Sequence, residues 1–344
     1  RDMYYNDLKN GKEVVYISDF GAIKDEYVDN TNAFQKAFDY AATYDAILYI
    51  EPGEYRLMDS VVLRGEKTYR IVCDGEIRVN ENSDIANEGL FVMDKDDKAP
   101  IKGYYMGLAI ALNGSNGSAF YNVNMDGMYV KIRNVSHGQS VFNSCNLENS
   151  ILIDGQMQFH DYGWFWNSVT ENTLITNVYG TGSTGYEGED GITPGDISYQ
   201  FLISTSDLIH TTLRANWLEF LQFSNGKKLS GAGCSLYRGN LIDYSYNYSF
   251  GRDDMVVGNT LSRGSYPAIV DHMLHSNFPI DLPDALTDYM VLFHVSDGLQ
   301  LIGNADVATL NAKTHFVEFD SPTIKYEDAF GNTVSSVSNA KVAG

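Results

Sequence analysis

The sequence predicts an all-β protein, a right-handed parallel β-helix closed at its start by one amphipathic α-helix. Three observations point there. Beyond Ile101 the chain is a succession of short β-prone runs separated by Asn, Gly, Ser and Asp. Two of these runs repeat, because Glu148–Asp154 reads ENSILID and Glu171–Asn177 reads ENTLITN, 23 residues further on. A period in the low twenties marks an architecture of stacked repeats. Ahead of the repeats, Phe34, Ala37, Phe38 and Ala41 fall at i, i+3, i+4 and i+7, the spacing of one helical face.

The elements follow in order. VVYISDF alternates as a strand, and FGA turns the chain. Asp29, Asn30 and Thr31 offer N-cap oxygens, and the helix runs from about Asn32 to near Tyr44. AILYI then reads as a buried strand, EPGE as a tight turn and YRL as the next strand, with SVVLRG, YRIVCDG and EIRVN continuing. The helix has a physical reason to stand here. The end of a β-helix exposes apolar core and unpaired strand edges, which invite aggregation, so it needs a cover. Strands this short with no helices between them exclude a βαβ fold, and a propeller blade needs roughly twice the period.

Further along, GNLIDYS at 239 and GNTLSRG at 258 carry the repeat on less faithfully. Asn122, Asn146, Asn149, Asn172 and Asn177 are predicted to form an internal or turn ladder, their amides bonding coil to coil. From Pro279 the pattern loosens into final coils and a C-terminal cap, with HFVEFDSPTIKYED as a late hairpin or edge. The expected division is an N-terminal segment over residues 1–57, coils over 58–278 and a closing region over 279–344.

Acidic residues outnumber basic ones by 45 to 24, giving a net charge of −21. Such a surface is well solvated, and it argues against nucleic acid, because phosphate binding needs clustered Lys and Arg. The densest basic group is only GKK at 226–228. No apolar run reaches the roughly 18 residues of a membrane span. Cys73, Cys145 and Cys234 stand far apart, with no metal-ligand spacing and no disulfide framework, and read as small buried residues.

VYISDFGA, followed by DNTNAFQKAF and LYIEPGEY, resembles the opening segment of the pectin-lyase-like right-handed β-helix superfamily. The likeness is to the branch that includes bacteriophage tailspikes and appendages, fungal exo-glucanases and secreted polysaccharide-degrading enzymes. Asp25-Glu26 stands where that pattern has Asp-Gly. The specific part covers residues 15–57 and identifies a scaffold. The resemblance implies a protein of a virion tail, or an extracellular one, that binds and cleaves a polysaccharide or cell-surface glycan as a homotrimer, with no cofactor and no metal. Two alternatives stay open: a non-catalytic structural or adhesive virion β-helix, and a secreted bacterial polysaccharide lyase or glycoside hydrolase. Of the polygalacturonase residue set, only the Asp-Asp pair is present, as Asp253-Asp254 in GRDDM. The Tyr-Gly-Phe-Asp-Pro-His signature of alginate epimerases is absent, and HDYGWFW at 160–166 shares only its Tyr-Gly.

Residues one coil apart lie about 4.8 Å apart in neighbouring parallel strands, so pairs at the period are candidates for chemistry. His137 and His160 are 23 apart, with Asp161 beside the second, and histidine serves as general acid or base near neutral pH. Trp164, Trp166 and, further on, Trp217 offer faces for sugar stacking. The Gly-rich acidic insertion at 179–196 holds Tyr186, a further substrate-binding candidate, and Glu187, Glu189 and Asp190, which are candidates to line a cleft or to bind Ca²⁺, although their spacing is not that of an EF-hand. Asp207, Glu219, Asp253 and Asp254 complete the acid/base candidates, with Arg214 supporting them. Glycoside hydrolysis commonly needs two carboxyl groups about 5 Å or roughly 6.5–9.5 Å apart. Asp207 and Asp253, 46 residues apart, are expected two coils apart.

Overall fold

The computed structural model describes residues 2–25, 27–80, 82–85, 88–113, 117–160 and 164–182, and after these the segments 203–204, 207–209, 211–214, 216–219, 222–224, 235–243, 247–249, 253–262, 291–294, 300–302, 305–308, 313–316, 324–327 and 341–343. The chain forms two compact units, Arg1–Gln158 and Phe159–Gly344. Each is built of stacked parallel strands, as a parallel β-helix requires.

In the first unit, one face stacks Val14–Tyr16, Ile47–Ile50, Thr68–Cys73, Lys102–Ala111, Tyr129–Ser136 and the strand beginning at Ile151. A second stacks Val61–Leu63, Gly89–Met93, Ser118–Tyr121 and Phe142–Asn143. A third pairs Asn124–Asp126 with Asn146–Glu148. The inward side chains stack in the same sense. Phe91, Phe120 and Phe142 lie ring over ring at 5.3 Å, and the Ser118 and Ser140 hydroxyls meet at 2.9 Å inside the core.

The step between coils varies in this unit. Ile47 faces Arg70, 23 residues on, as the expected period has it, whereas Tyr104 faces Tyr129 at 25 and Thr68 faces Lys102 at 34. Between the last two coils it is 22: Phe120 faces Phe142, Asn124 faces Asn146 and Tyr129 faces Ile151. A one-residue slip moves a side chain to the opposite face of a strand, so the spacing from which a His137–His160 pair was expected is not the step of these coils.

Two helices precede the coils, where the sequence reading anticipates one. α1 spans Asp2–Lys9 and α2 spans Thr31–Tyr44. The strand before α2 is shorter than expected, because Ile17–Phe20 forms a 3-10 turn that ends on Gly21 at φ 88°, a left-handed position suited to glycine. At the start of α2, Asn30 occupies the cap position but its side chain turns away, accepting from the Ile23 N–H at 2.7 Å. Asp29 accepts from the Thr31 N–H instead, at 2.9 Å.

The buried face of α2 is Ala33, Phe34, Ala37, Phe38 and Ala41, and Phe38 packs against Tyr69 and Phe91. Gln35 has a job the sequence reading did not anticipate. Its side-chain amide accepts from the Val62 N–H at 2.7 Å and donates to the Val62 carbonyl at 3.0 Å. Val61–Leu63 is the first strand of its stack, so Gln35 stands in for the missing neighbour and blunts the open edge.

In the second unit, Leu174–Gly182 pairs with Thr212–Arg214, followed by Leu236–Arg238, Met255–Val257, Gln300–Ile302 and Lys341–Ala343. Beside it run Trp217–Glu219, Leu241–Asp243, Thr260–Ser262 and Ala305–Ala308. The last of these pairs antiparallel with Lys313–Phe316, while Ile324–Glu327 is parallel to Val291–His294. The step is uneven. Leu174 faces Thr212, 38 residues on, and this long coil contains the Gly-rich acidic insertion.

Three buried asparagines hold successive coils together. Asn216 donates to Asn240 Oδ1 at 3.0 Å, and Asn240 donates to Asn259 Oδ1 at 2.9 Å. Each also donates to a backbone carbonyl of the neighbouring coil: Asn216 to Ile175, Asn240 to Leu213 and Asn259 to Tyr237. The predicted asparagine ladder is present in its turn form. Asn122, Asn149, Asn172 and Asn177 occupy left-handed turn positions at φ 46–54°, which asparagine tolerates better than most residues. Asn146 donates to Asn124 Oδ1 and Asn149 to Asp126 Oδ1, both at 2.9 Å.

Two outcomes test this account. Phe38→Asp places an unpaired charge in a site only 1% exposed, which costs several kcal/mol. The variant should aggregate, while Lys36→Asp on the exposed face of α2 stays soluble, as size-exclusion chromatography would show. Asn240→Leu strands the Asn216 amide and the Leu213 carbonyl inside the core and should cost about 2–5 kcal/mol by chemical denaturation.

Candidate functional site

The residues singled out in the sequence divide by where the chain places them. Trp164 lies in the core at 2% exposure, edge-on to Phe165. It offers no face to a sugar, which corrects the expectation of a stacking platform there. Trp166 is half-buried and His137 is exposed, on a turn at φ 62°. The coil register explains the Asp-Asp pair. Leu174, Thr212, Leu236 and Met255 are successive partners, so Asp253 sits in the same turn as Asn172 rather than in line with Asp207. Both are left-handed, at φ 56° and 46°. Asp254, fully buried, accepts from the Ser235 N–H at 2.9 Å, one coil beyond the Thr211 N–H that Ser235 Oγ accepts at 3.1 Å. Asp254 is therefore a rung of an inward hydroxyl and carboxyl ladder, and the expectation of an acid/base group at this position is corrected.

Arg214 is exposed and stands in register with Arg238, also exposed. Glu219 stands in register with Asp243 on the adjacent strand. Asp207 lies in a strand paired with Val169–Glu171, Trp217 begins the Trp217–Glu219 strand, and His160 ends the strand that begins at Ile151. Asp161, Tyr186, His210 and the carboxylates at 187, 189 and 190 lie outside the described residues. Cys73 and Cys145 are buried as expected, and Cys234 lies outside the described residues.

The first unit contains a cleft that the sequence reading did not single out. Its floor comes from three strands of successive coils. Thr68 faces Lys102 and Arg70 faces Tyr104 across the parallel register, and Ile101 bridges to Met125, next to Asp126. Its wall is α1. Asp7 of α1 accepts from Arg70 Nε and from the Tyr104 hydroxyl, both at 3.0 Å, and Tyr4 packs edge-on to Tyr104 at 6.2 Å. The Arg70 and Asp7 side chains are each only 17% exposed. Arg70 also pairs with Asp45, which Lys12 holds from the other side. Burial, then the bond to Asp7, raises the Tyr104 pKa well above its usual range, so its hydroxyl remains a donor across physiological pH.

Between floor and wall lies a cleft of about 540 Å³ lined by Asn6, Asp7, Thr68, Arg70, Lys102 and Asp126, among others. That volume suits a small ligand or a few linked rings. Gly103, at φ 113°, forms part of the floor. A Cβ there would lie 2.0 Å from the Tyr69 carbonyl oxygen, so only glycine lets the strand run this close. Nothing in the helix or strand periodicity foretold the cleft, because it arises from the docking of α1 on a sheet face. The one sequence signal was Arg70, a charge within an otherwise apolar strand pattern.

No protein-family model matches the chain, and no curated protein matches it. Among solved structures, the Streptococcus pneumoniae surface protein and adhesin PfbA is similar over 96% of this chain and 97% of its own, at 12% identity and a TM-score of 0.50. The chain has the parallel β-helix fold. DFA-IIIase from Arthrobacter chlorophenolicus A6, without its lid, aligns over 92% of this chain and 93% of its own, at 12% identity and a TM-score of 0.49. The Dettilon tailspike protein aligns over 96% of this chain and 68% of its own, at 11% identity and a TM-score of 0.38. Within this fold, among the described residues, no helix is long and apolar enough to cross a membrane, and no group of His, Cys, Asp and Glu is arranged to hold a metal.

If Arg70 is the tether of α1, Arg70→Ala should cost about 1–2 kcal/mol, a value discounted for partial exposure. Amide exchange read by mass spectrometry should quicken over residues 2–9 and stay unchanged over Tyr129–Ser136. Equal protection of α1 in both proteins would contradict the tether.

Proposed function

We propose that this chain recognises a polysaccharide outside the cell, as part of a virion tail or appendage, and that its second unit carries the groups that cleave it. The observation that supports recognition is the cleft of the first unit. Polar side chains of α1 and of the coils, Asn6, Thr68, Lys102 and Asp126, line it beside the Arg70–Asp7 ion pair. Sugar recognition needs such convergent donors and acceptors, since each ring presents hydroxyls on its edges.

For cleavage, Glu219 and Asp243 on adjacent strands are the favoured carboxylate pair, with Asp161 and Asp207 as further candidates. Arg214 and Arg238 supply positive charge to hold an acidic group of the glycan, and His160 is a supporting acid or base. Trp166, Trp217, His137 and Tyr186 remain the candidate sugar contacts. The assembly we propose is a homotrimer. A second reading is adhesion without cleavage, and the likeness to PfbA, a surface adhesin, favours it.

A panel of capsular, teichoic and plant polysaccharides, assayed for retention, for new reducing ends and for the absorbance of unsaturated uronates, decides between them. Cleavage that Glu219→Gln or Asp243→Asn lowers by about 10²-fold or more supports the enzyme. Retention without cleavage establishes the adhesive reading. A panel in which nothing is retained overturns both. Light scattering tests the trimer, and a monomer at micromolar concentration would contradict it.

A further inference from the structure

We propose that the cleft between α1 and the coils is selective for a sugar unit carrying a single anionic group, with Lys102 as the residue that reads the charge. This deepens the proposed polysaccharide recognition and rests on it.

The charges lining the cleft are not equally available. Arg70 is engaged by Asp7 and by Asp45. Asp7 is engaged by Arg70 and by the Tyr104 hydroxyl. Asp126 accepts from the Asn149 side-chain amide, and its second oxygen has capacity left. Lys102 is exposed and takes part in none of the ion pairs among the described residues. The cleft therefore holds one uncommitted cation, one carboxylate able to accept from a hydroxyl, and the polar side chains of Asn6 and Thr68 in its lining.

The exposed Lys102 ammonium is free to meet an anion that enters the cleft, and a hydrogen bond between charged groups is stronger than one between neutral groups. The rest of the molecule works against binding a polyanion. The net charge is −21, but at physiological ionic strength charges more than about 8 Å away are largely screened, so the local lysine decides the interaction within the cleft. Asp126 sets the upper limit. A sugar with a second anionic group would face its carboxylate, whereas a hydroxyl donates to it. The ligand chemistry that fits is one carboxylate or one sulfate on a ring that otherwise bears hydroxyls. Met3, Asn6 and Asp7 of α1 line this site, so the helix is a binding element as well as a packing one.

The test uses the full chain and NMR titration with three sugars: methyl glucuronide, galactose 6-sulfate and methyl glucoside. The first two should bind at least tenfold more tightly than the third. Lys102→Gln should remove that difference, Lys102→Arg should keep it, and Lys131→Gln, which alters a cation paired elsewhere with Asp154, should leave it intact. Binding of glucuronide but not the sulfate, or of the sulfate but not glucuronide, identifies which anion the cleft takes and supports the proposal. Equal binding of all three sugars overturns anion selectivity while leaving glycan recognition standing. An anion preference that survives in Lys102→Gln overturns the role of Lys102. If the polysaccharide panel is retained but none of the three sugars perturbs residues of the cleft, the proposal fails and recognition lies elsewhere on the chain.

Discussion

The parallel register between coils is the constraint on which the rest depends. Once Tyr129 is set opposite Ile151 and Asn124 opposite Asn146, every side chain lies above its counterpart one coil back, and like must stack on like. Apolar positions answer with rings, as Phe91, Phe120 and Phe142 do. Polar positions facing inward must find their partners along the stack, because no water reaches them. Asn216, Asn240 and Asn259 solve this with amides that donate and accept at once. Ser235 and Asp254 solve it with a hydroxyl and a carboxyl that accept from backbone N–H groups. The same residue types that suggest catalysis when read singly are, in register, the rungs of the scaffold.

The start of the stack has a different problem. A coil with no predecessor leaves its strand edge and its core uncovered. α2 supplies both remedies from one helix: Phe34 and Phe38 cover the core, and Gln35 presents an amide to Val62 in place of a strand. α1 lies on an outer face, held through Asp7, Arg70 and Tyr104. That docking converts a sheet face into a cleft, and the cleft is where an uncommitted lysine stands beside a carboxylate. Closure of the fold and construction of the site are thus carried by adjacent segments of the same N-terminal region.

Several features of the fold were legible in the residues. The spacing of Phe34, Ala37, Phe38 and Ala41 marked α2 and its buried face. The alternation in YRIVCDG and EIRVN marked strands that lie where expected, and the runs ENSILID and ENTLITN marked stacked coils. The asparagine turns were legible because left-handed backbone positions favour a short list of residues. GNLIDYS and GNTLSRG were recognised as repeats, although the inward role of Asn240 and Asn259 within them was not. An asparagine in a buried ladder and one in a solvated turn are the same letter.

The sequence by itself determined the local choices: which runs become strands, where the one strongly amphipathic helix lies, and which positions turn left-handed. These depend on contacts within a few residues, so periodicity and residue type suffice to read them. The tertiary structure alone decided the register, and with it the meaning of the polar residues. Steps of 22, 34 and 38 residues beside one of 23 are settled by loop lengths and by which side chains pack across coils, over separations that no local pattern encodes. That register carried Asp254 into the core and aligned Asp253 with Asn172 instead of Asp207. It also brought Thr68, Lys102 and Asp126 together beneath a helix that begins the chain.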